Sequence, residues 1–207
     1  MTAGRVIRSF AAPGGFVVCL DYAGGTLWVS DHFTDAIWQV AVDTGRVLRS
    51  FTAPASENDG LAWDGRSLWI ATRSTGLIYQ VDVVTGRVIR SIPQPAECVA
   101  GLAWDGARLW FVSQIETRVY QLDPITGRSL RSFALPAYPA GDIVIVDNVL
   151  WHASDGTDKI HALDIVTGRE LRSFDMPVAS SYALTFDGHY LWLGAQTTNT
   201  IYQIEIV

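Results

Sequence analysis

A unit of 41 residues recurs along this sequence and constrains its fold more than any other feature. A period of roughly 40 residues is typical of stacked supersecondary units, none of which can bury its apolar face alone. Five units account for nearly all of the 207 residues, which predicts one closed array and a single domain over 1–207. The spacing is kept without insertion or deletion by Trp28, Trp69, Trp110, Trp151 and Trp192, by Gly4, Gly45, Gly86, Gly127 and Gly168, and by Pro13, Pro54, Pro95, Pro136 and Pro177.

Each unit carries four strand signals. In the second unit they are GLAW (60–63), LWIAT (68–72), LIYQV (77–81) and RVIRSI (87–92), which are rich in β-branched and aromatic residues. Asp-Gly and Thr-Gly pairs separate them and suit tight turns, because Gly tolerates positive φ. No window shows a helical period. The sequence therefore predicts an all-β, five-bladed β-propeller with four antiparallel strands in each 41-residue blade.

The two ends of the chain are offset within the repeat. Residues 5–10 (RVIRSF) match the fourth strand signal of the other units, and residues 200–207 (TIYQIEIV) match the third. We therefore predict that the N-terminal strand 5–10 pairs with the strand near 200–206. That pairing would complete the last blade and close the ring.

Several repeated residues are interpreted as scaffold. We expect the five tryptophans to pack between blades, with sugar-stacking platforms as the alternative. The arginines of the fourth strand are expected to protect exposed sheet edges, with a polyanion-binding rim as the alternative. Asp82, Asp123, Asp164 and Glu205 are expected to cap the Thr-Gly turns or to pair with those arginines. His152 and His161 are interpreted as packing residues.

Composition bears on partners and location. The net charge of −6 does not favour nucleic acid, and no apolar run approaches the roughly 20 residues of a membrane helix. Cys19 and Cys98 occupy different repeat positions, so we expect no disulfide and a reducing compartment. The first residues lack the apolar core of a secretion signal, which favours a cytoplasmic location, although a trimmed signal stays open. We expect a monomer.

Function is sought where the repeats differ, which is in two sets of loops expected on one face. Loops on a rigid scaffold commonly carry binding residues. Four carboxylates near the inner strands are expected to ring the mouth of the central channel: Glu57, Asp59, Glu97 and Asp142. Together they would favour a cation, an amine or sugar hydroxyls as the ligand. A solvated acidic surface is the alternative. The candidate ligand-binding residues on this face are Asp31, His32, Glu57, Asp59, Arg73, Glu97, Asp142, Asp155 and Tyr182.

Motifs for catalysis, phosphate binding or metal binding are missing from the sequence, so we predict no metal site and no cofactor. His32 beside Asp31 is a candidate acid–base pair. Asp59 and Asp142 are a candidate carboxylate pair of the kind that hydrolases use. The Asp- and Gly-rich segment 154–158 lacks the spacing of a calcium loop.

The units WDGxxLW and YQVDxxTGRVxRSF resemble the repeats of the NHL, YVTN and glutaminyl-cyclotransferase-like propellers, over all five repeats. The five-bladed glutaminyl cyclotransferases match in blade number, and residues 27–48 are similar to their strand–loop–strand pattern. That resemblance implies cyclisation of amino-terminal glutamine. The family's Phe-Thr-Gln-Gly-Leu segment is replaced here by PGGFVVCL (13–20), and its Tyr-Glu-Ser element by Trp28-Val29-Ser30. Five-bladed lectins resemble the chain in architecture.

These observations lead to one prediction and three alternatives for function. The prediction is a noncatalytic binding or scaffold module, whose variable loops around the channel take a small molecule, a glycan or a protein. The alternatives are a glutaminyl-cyclotransferase-like enzyme, a lectin-like sugar binder, and a designed or reconstructed repeat protein with no evolved ligand.

Overall fold

The computed structural model describes residues 4–205, which form five antiparallel sheets of four strands each. The predicted five-bladed propeller is confirmed. Residues 1–3 and 206–207 lie outside the described part. The two ends of the predicted 1–207 domain, and residue 206 of the predicted C-terminal strand, therefore also lie outside it. Residues 4–205 contain no helix of the length and apolarity that a membrane crossing would require.

Each blade runs from an inner to an outer strand in chain order, except that the chain's first strand is the outer strand of blade 5. Blade 1 contains β2 (Val17–Tyr22), β3 (Thr26–Asp31), β4 (Ala36–Ala41) and β5 (Val47–Thr52). Blade 2 contains β6 (Asn58–Trp63), β7 (Leu68–Thr72), β8 (Leu77–Val81) and β9 (Val88–Pro93). Blade 3 contains β10 (Val99–Trp104), β11 (Leu109–Ser113), β12 (Arg118–Leu122) and β13 (Ser129–Ala134). Blade 4 contains β14 (Ile143–Val146), β15 (Val149–Ser154), β16 (Lys159–Asp164) and β17 (Glu170–Asp175). Blade 5 contains β18 (Ser181–Phe186), β19 (Leu191–Ala195), β20 (Thr200–Glu205) and β1 (Arg5–Ala11).

The ring closes through the pairing of β1 with β20. The two strands are antiparallel, with Arg5 opposite Glu205 and Phe10 opposite Ile201. The Arg5 guanidinium also lies 2.8 Å from the Glu205 carboxylate. The predicted closure is therefore confirmed over the described residues, and it removes the unpaired edge that β20 would otherwise present.

Burial follows the distance of each strand from the axis. All of β6 except Trp63 is buried, whereas β5 is exposed apart from the half-buried Phe51. The apolar core lies between successive blades: Trp28 of blade 1 belongs to one cluster with Leu61 and Ile70 of blade 2. Because each sheet packs against neighbours on both faces, the low charge content of the sequence is explained.

The repeated tryptophans are core residues, as predicted, and each lies under an arginine of its own blade. The distance from the guanidinium carbon to the indole centroid is 5.0–5.2 Å in all five blades. The arginines involved are Arg8, Arg49, Arg90, Arg131 and Arg172. These five side chains therefore cover the core as well as the sheet edge, through cation–π contacts that are each worth roughly 0.5–2 kcal/mol.

The Thr-Gly turns of blades 2, 3 and 4 are capped by aspartate, which is the first of the two predicted roles. Asp82 Oδ1 accepts hydrogen bonds from the backbone amides of Val84 and Thr85 and from the Thr85 hydroxyl. Gly86 follows at a φ of 70°. Asp123 and Asp164 repeat this arrangement in blades 3 and 4.

The inner strands of four blades contain an irregularity near the start of the strand. In β6 the pairing with β7 passes from Asn58 directly to Gly60, so that Asp59 is an extra residue. In β18 the same shift makes Tyr182 the extra residue. A bulge of this kind re-aims the extra side chain, and here it brings Asp59 and Tyr182 to the entrance of the central channel.

Candidate functional site

A pocket of about 210 Å³ lies at the mouth of the central channel, on the face that carries the variable loops. Its rim is a ring of five residues at one repeat position, spaced 41 residues apart. Each is the first residue after the second strand of its blade, so the scaffold places all five alike around the axis. These rim residues are His32, Arg73, Gln114, Asp155 and Gln196.

The floor and walls of this mouth pocket combine apolar surface with two polar bulge residues. Asp59 is 3% exposed and Tyr182 is 8% exposed. Apolar contact surface comes from Phe16, Val18 and Pro139. Small pockets with apolar walls and a few convergent polar groups are typical ligand sites.

The Asp59 carboxylate is held by two rim residues. Its Oδ1 lies 2.9 Å from His32 Nδ1, and its Oδ2 lies 2.8 Å from Arg73 Nη2. The N–H bonds of Arg73 do not point at Oδ2, which has no directed donor. The pair is therefore an ionic contact, and Arg73 Nη2 is also 3.4 Å from the carbonyl oxygen of Val99. The positive charge of Arg73 is compensated within the pocket.

Asp155 differs from Asp59, because no cation or side-chain donor pairs with its carboxylate among residues 4–205. With His32 counted as neutral, the two carboxylates and one guanidinium of the mouth pocket leave one negative charge uncompensated. Gln196 has no side-chain hydrogen bond within the described part of the chain either. These two groups are available to a ligand.

The interior below the mouth holds groups that stay neutral. Burial raises the pKa of the Tyr182 phenol well above its usual value, and the nearby Cys19, Asp59 and Asp142 add to the shift. Burial, with Asp142 and Asp59, also raises the pKa of the Cys19 thiol. Tyr182 is therefore a hydrogen-bond donor at the pocket wall, and Cys19 is an unreactive thiol. Neither Cys19 nor Cys98 forms a disulfide.

Asp31 supports the loop that carries His32. Its Oδ2 accepts from the amides of Gly15 and Phe16, and its Oδ1 accepts from the amide and hydroxyl of Thr34. Burial acts to raise the pKa of Asp31, but these donors outweigh it and the pKa lies below its ordinary value. The candidate Asp31–His32 acid–base pair is wrong in its partner, because His32 contacts Asp59.

Glu57 and Glu97 lie beside the mouth pocket and do not line it. Glu57 has a φ of 60°, and its carbonyl oxygen accepts from the amide of Arg73, so it shapes the loop through its backbone. Glu97 is exposed and borders a separate groove of about 570 Å³, which also contacts Arg73 and Ile115. That groove runs outward from the mouth.

Asp142 lies below the mouth and not around it, which corrects the expectation for its position. It is fully buried, and its oxygens accept from the amides of Ile143 at 3.0 Å and Leu184 at 3.2 Å. A longer contact of 3.5 Å reaches the amide of Leu20. Burial raises the pKa of Asp142 well above its usual value. Because both oxygens serve the backbone, Asp142 holds inner strands together.

The structure adds pocket residues that the sequence reasoning missed. Gln114 and Gln196 complete the ring, while Phe16, Val18 and Pro139 form its apolar walls. The two glutamines occupy the repeat position of His32, Arg73 and Asp155, so the repeat alignment alone would have found them. Among the described residues, no three His, Cys, Asp or Glu side chains group to hold a metal ion.

No protein-family model matches the sequence, and no curated protein matches it. Solved structures do match the fold. A crystal structure of Myxococcus xanthus glutaminyl cyclase is 14% identical, with a TM-score of 0.84 over 99% of this chain and 97% of that chain. A crystal structure of virginiamycin B lyase from Staphylococcus aureus is 18% identical, with a TM-score of 0.59 over 96% of this chain and 69% of that chain. A chain in the mitotic checkpoint complex is 14% identical, with a TM-score of 0.62 over 97% of this chain and 91% of that chain. At these identities the likeness shows a shared propeller fold.

Proposed function

We propose that the protein is a binding module that takes a small molecule or a chain terminus with a protonated amine in the mouth pocket. The unpaired carboxylate of Asp155 carries the proposal. The one arginine of the pocket is already compensated by Asp59, so an incoming ligand meets net negative charge. A protonated amine supplies the missing positive charge.

The size of the pocket limits the ligand. Its volume of about 210 Å³ is below the roughly 300–1,000 Å³ of sites for drug-sized molecules. An amino acid amide or the first residue of a peptide is of suitable size. The pocket opens to solvent at the loop face, so a longer chain can continue outward past Arg73 into the adjoining groove.

The remaining polar groups suit a ligand that both donates and accepts hydrogen bonds. The carboxamides of Gln114 and Gln196 offer donors and acceptors, and the Tyr182 phenol offers a donor. Phe16 and Val18 can contact the carbon skeleton of the ligand. The contacts that hold Asp59 to His32 and Arg73 keep the site in shape before binding, which limits the entropy cost of association.

The test is calorimetric titration with glutamine amide and glycinamide, with their N-acetyl forms as uncharged counterparts. We expect the amines to bind and the acetylated forms to bind at least about 10-fold more weakly, because a charge-assisted hydrogen bond is worth roughly 1.5–3 kcal/mol. Asp155→Asn should weaken amine binding to a similar extent without changing the Tm.

Glu97→Gln is the matched control, since it removes the same charge from the same face outside the mouth pocket. It should leave the affinity unchanged. Equal binding of amine and acetylated ligands, or equal effects of the two substitutions, would contradict the proposal.

Glutaminyl cyclisation is the second candidate, because the Myxococcus xanthus enzyme of that name shares the fold over nearly its whole length. In such a reaction the α-amine nitrogen of an amino-terminal glutamine attacks the side-chain carboxamide carbon. The bond from that carbon to its original nitrogen breaks, a proton passes from the amine to the leaving nitrogen, and ammonia departs. A pocket that binds a terminal amine supports this candidate, provided that the bound ammonium group first releases a proton to solvent, since only the neutral amine can attack.

Ammonia release from a Gln-peptide, against an N-acetylated peptide as blank, separates the two functions. Release that disappears in Asp155→Asn would establish the enzyme. Amine binding without release would leave the binding module.

A further inference from the structure

The junction between blades 3 and 4 departs from the repeat on the face opposite the mouth pocket. One repeat position near the end of the inner strand is aromatic in four blades, at Tyr22, Trp63, Trp104 and Phe186, and it is Ile145 in blade 4. The aromatic side chain packs against the core tryptophan of the preceding blade, as in the 6.2 Å contact between the rings of Trp63 and Trp28. Ile145 is too small to fill the same space against Trp110.

A cavity of about 560 Å³ is present at this junction. Blade 3 contributes Trp104 and Arg131 to its wall, and blade 4 contributes Ile145, Ile165 and Val166. The volume lies within the range of small-molecule sites. We call this space the junction cavity.

The blade 3 wall of the junction cavity is held rigidly. Asp105 Oδ2 accepts from Trp110 Nε1 at 2.7 Å. Gln121 Oε1 accepts from Arg131 Nε at 3.0 Å, and Arg131 Nη1 donates to the carbonyl oxygen of Val166 at 3.3 Å. Arg131 Nη2 has no hydrogen-bond partner among residues 4–205. The guanidinium group of Arg131 is thus held in position, and its Nη2 can donate hydrogen bonds to a ligand.

The turn of blade 4 adds a second departure at the same place. The position of Asp147 holds glycine in the other four blades, at Gly24, Gly65, Gly106 and Gly188. Asp147 has a φ of 48°, a backbone conformation that glycine adopts without cost and that Asp tolerates. Asn148 follows at a φ of 63°.

Both side chains line the junction cavity, and neither has a hydrogen-bond partner in the described part of the chain. Asp147 therefore places a carboxylate where the other four blades have glycine, and Asn148 adds a carboxamide beside the space that the missing aromatic ring leaves. Two independent substitutions of the repeat converge on one cavity.

We propose that the junction cavity is a binding site for a neutral saccharide. The indole of Trp104 offers a flat apolar surface to the C–H face of a pyranose ring, and Ile145 and Ile165 offer apolar contact around it. Asp147, Asn148 and Arg131 Nη2 supply acceptors and donors for adjacent hydroxyls. Asp105 and Asp147 carry two negative charges and Arg131 carries one positive charge, so the lining has a net negative charge that disfavours an anionic ligand, and its hydroxyl-matching groups suit a neutral saccharide.

The test is saturation-transfer NMR with the methyl glycosides of glucose, galactose, mannose, fucose and N-acetylglucosamine, followed by titration of tryptophan fluorescence with those that bind. We expect at least one glycoside to bind. Ile145→Trp restores the residue type found at Trp63 and Trp104, so it should fill the cavity and weaken binding at least ~10-fold with an unchanged or higher Tm.

Phe186→Trp is the matched control, because it adds the same side chain at the same repeat position in the blade 4–5 junction. It should bind as the unaltered protein does. Asp147→Gly restores the glycine of the other four blades and should weaken binding ~5-fold or more with the fold intact, which keeps the test valid if Ile145→Trp does not fold. Failure of every glycoside to bind, or full binding by Ile145→Trp, would overturn the proposal. Asp155→Asn, at the mouth pocket, should not affect it.

Discussion

The arginine above each core tryptophan shows how one side chain serves both the edge and the core of a blade. Arg90 lies over the ring of Trp69, and its Nε donates to Gln80 Oε1 at 2.8 Å. Gln80 in turn donates to Asp64, which also accepts from the Trp69 indole. The four side chains form a closed network on the outer part of the blade, and such networks are expected to be worth more than isolated contacts.

We predict that Arg90→Ala destabilises the protein by about 1–2 kcal/mol, from the lost cation–π contact and hydrogen bond. Arg87→Ala is the control, since Arg87 directly precedes the same strand, is exposed and makes no side-chain hydrogen bond within the described residues. It should change stability by less than about 0.5 kcal/mol. Urea unfolding of the two variants measures both losses of stability. A larger loss for Arg90→Ala would show that the contact with the tryptophan, and not the charge at the sheet edge, stabilises the blade.

His152 is a buried titratable group that the candidate site does not use. It stacks on His161 at 5.8 Å between ring centroids, and neither of its ring nitrogens has a hydrogen-bond partner among the described residues. Blade 3 places Phe111 and Tyr120 at the equivalent positions. Burial, with a smaller effect of His161, lowers the pKa of His152 from 6.5 to about 3.

This lowered pKa predicts acid sensitivity. In the unfolded chain His152 binds a proton near pH 6.5, whereas in the folded chain it does so only near pH 3. The contribution of neutral His152 to the free energy of unfolding is therefore complete above pH 6.5 and is lost as the pH falls toward 3. Each pKa unit corresponds to about 1.4 kcal/mol. His152→Phe, which copies Phe111, should flatten the fall in Tm between pH 6.5 and 4.

Asp21 acts in the opposite direction, because burial raises its pKa to about 6. Its contribution is present below about pH 3.8 and is lost as the pH rises through 6. Asp21→Asn is therefore the informative control for His152→Phe: it should steepen the loss of stability on acidification. A Tm profile that His152→Phe leaves unchanged would show that the histidine does not set the acid limit.

The strand β1 is the element on which closure of the ring depends. It contributes the ladder with β20, the Arg5–Glu205 ion pair and the arginine that covers Trp192. Its loss would expose the edge of β20 and uncover one core tryptophan.

We predict that removing residues 1–11 causes aggregation or a large fall in Tm. A circular permutant that joins the end of β20 to Gly4 by a Thr-Gly turn, with new ends in the loop near Gly15, is the control. It keeps all four strands of blade 5 and should stay folded. A truncated protein that is monomeric and melts like the full chain would contradict a ring closed by β1.

At the scale of the whole molecule, Asp142 links blades across the axis. Its carboxyl group accepts from the amide of Leu184 in blade 5 and, at longer range, from that of Leu20 in blade 1. Asp21 repeats this device lower in the channel, where it accepts from the amide of Trp63 and from the hydroxyl of Thr185. The buried carboxyl group of Asp142 and the half-buried one of Asp21 therefore join inner strands that share no ladder.

We predict that Asp142→Ala destabilises the protein by about 3 kcal/mol or more, because it leaves buried amides without an acceptor. Asp142→Asn keeps one of the two acceptor oxygens and is neutral like the acid that the raised pKa favours, so it should lose clearly less stability than Asp142→Ala at pH 7. Chemical unfolding midpoints measure both. Equal losses in the two variants would show that charge, and not hydrogen-bond acceptance, is what the site needs.

The repeat made much of this architecture predictable. Strand identity and the Asp82-type turn caps depend on contacts within one 41-residue unit, and the number of units gives the number of blades. The burial of Trp28 and its equivalents follows from their place in an apolar strand, although their contacts are with the next blade. Contacts within one unit follow from the alternation of apolar and polar residues, from turn residues and from strand propensity. These signals are present in all five units, which makes the prediction stronger than a single unit would allow. The closure through β1 followed from the offset of the ends within the same pattern.

The candidate site depended on the tertiary structure. The sequence alone nominated His32, Asp59 and Asp155 as loop residues of one face, but the pairing of His32 with Asp59 and the isolation of Asp155 arise only when five blades surround an axis. A bulge decides that Asp59 faces the mouth, whereas Asp142 lies one residue further along its repeat, at the position of Gly60, and is buried below the mouth. The direction of a side chain at the axis is set by strand irregularities and by contacts between blades that are distant in sequence. Neither can be predicted from the sequence of a single 41-residue unit.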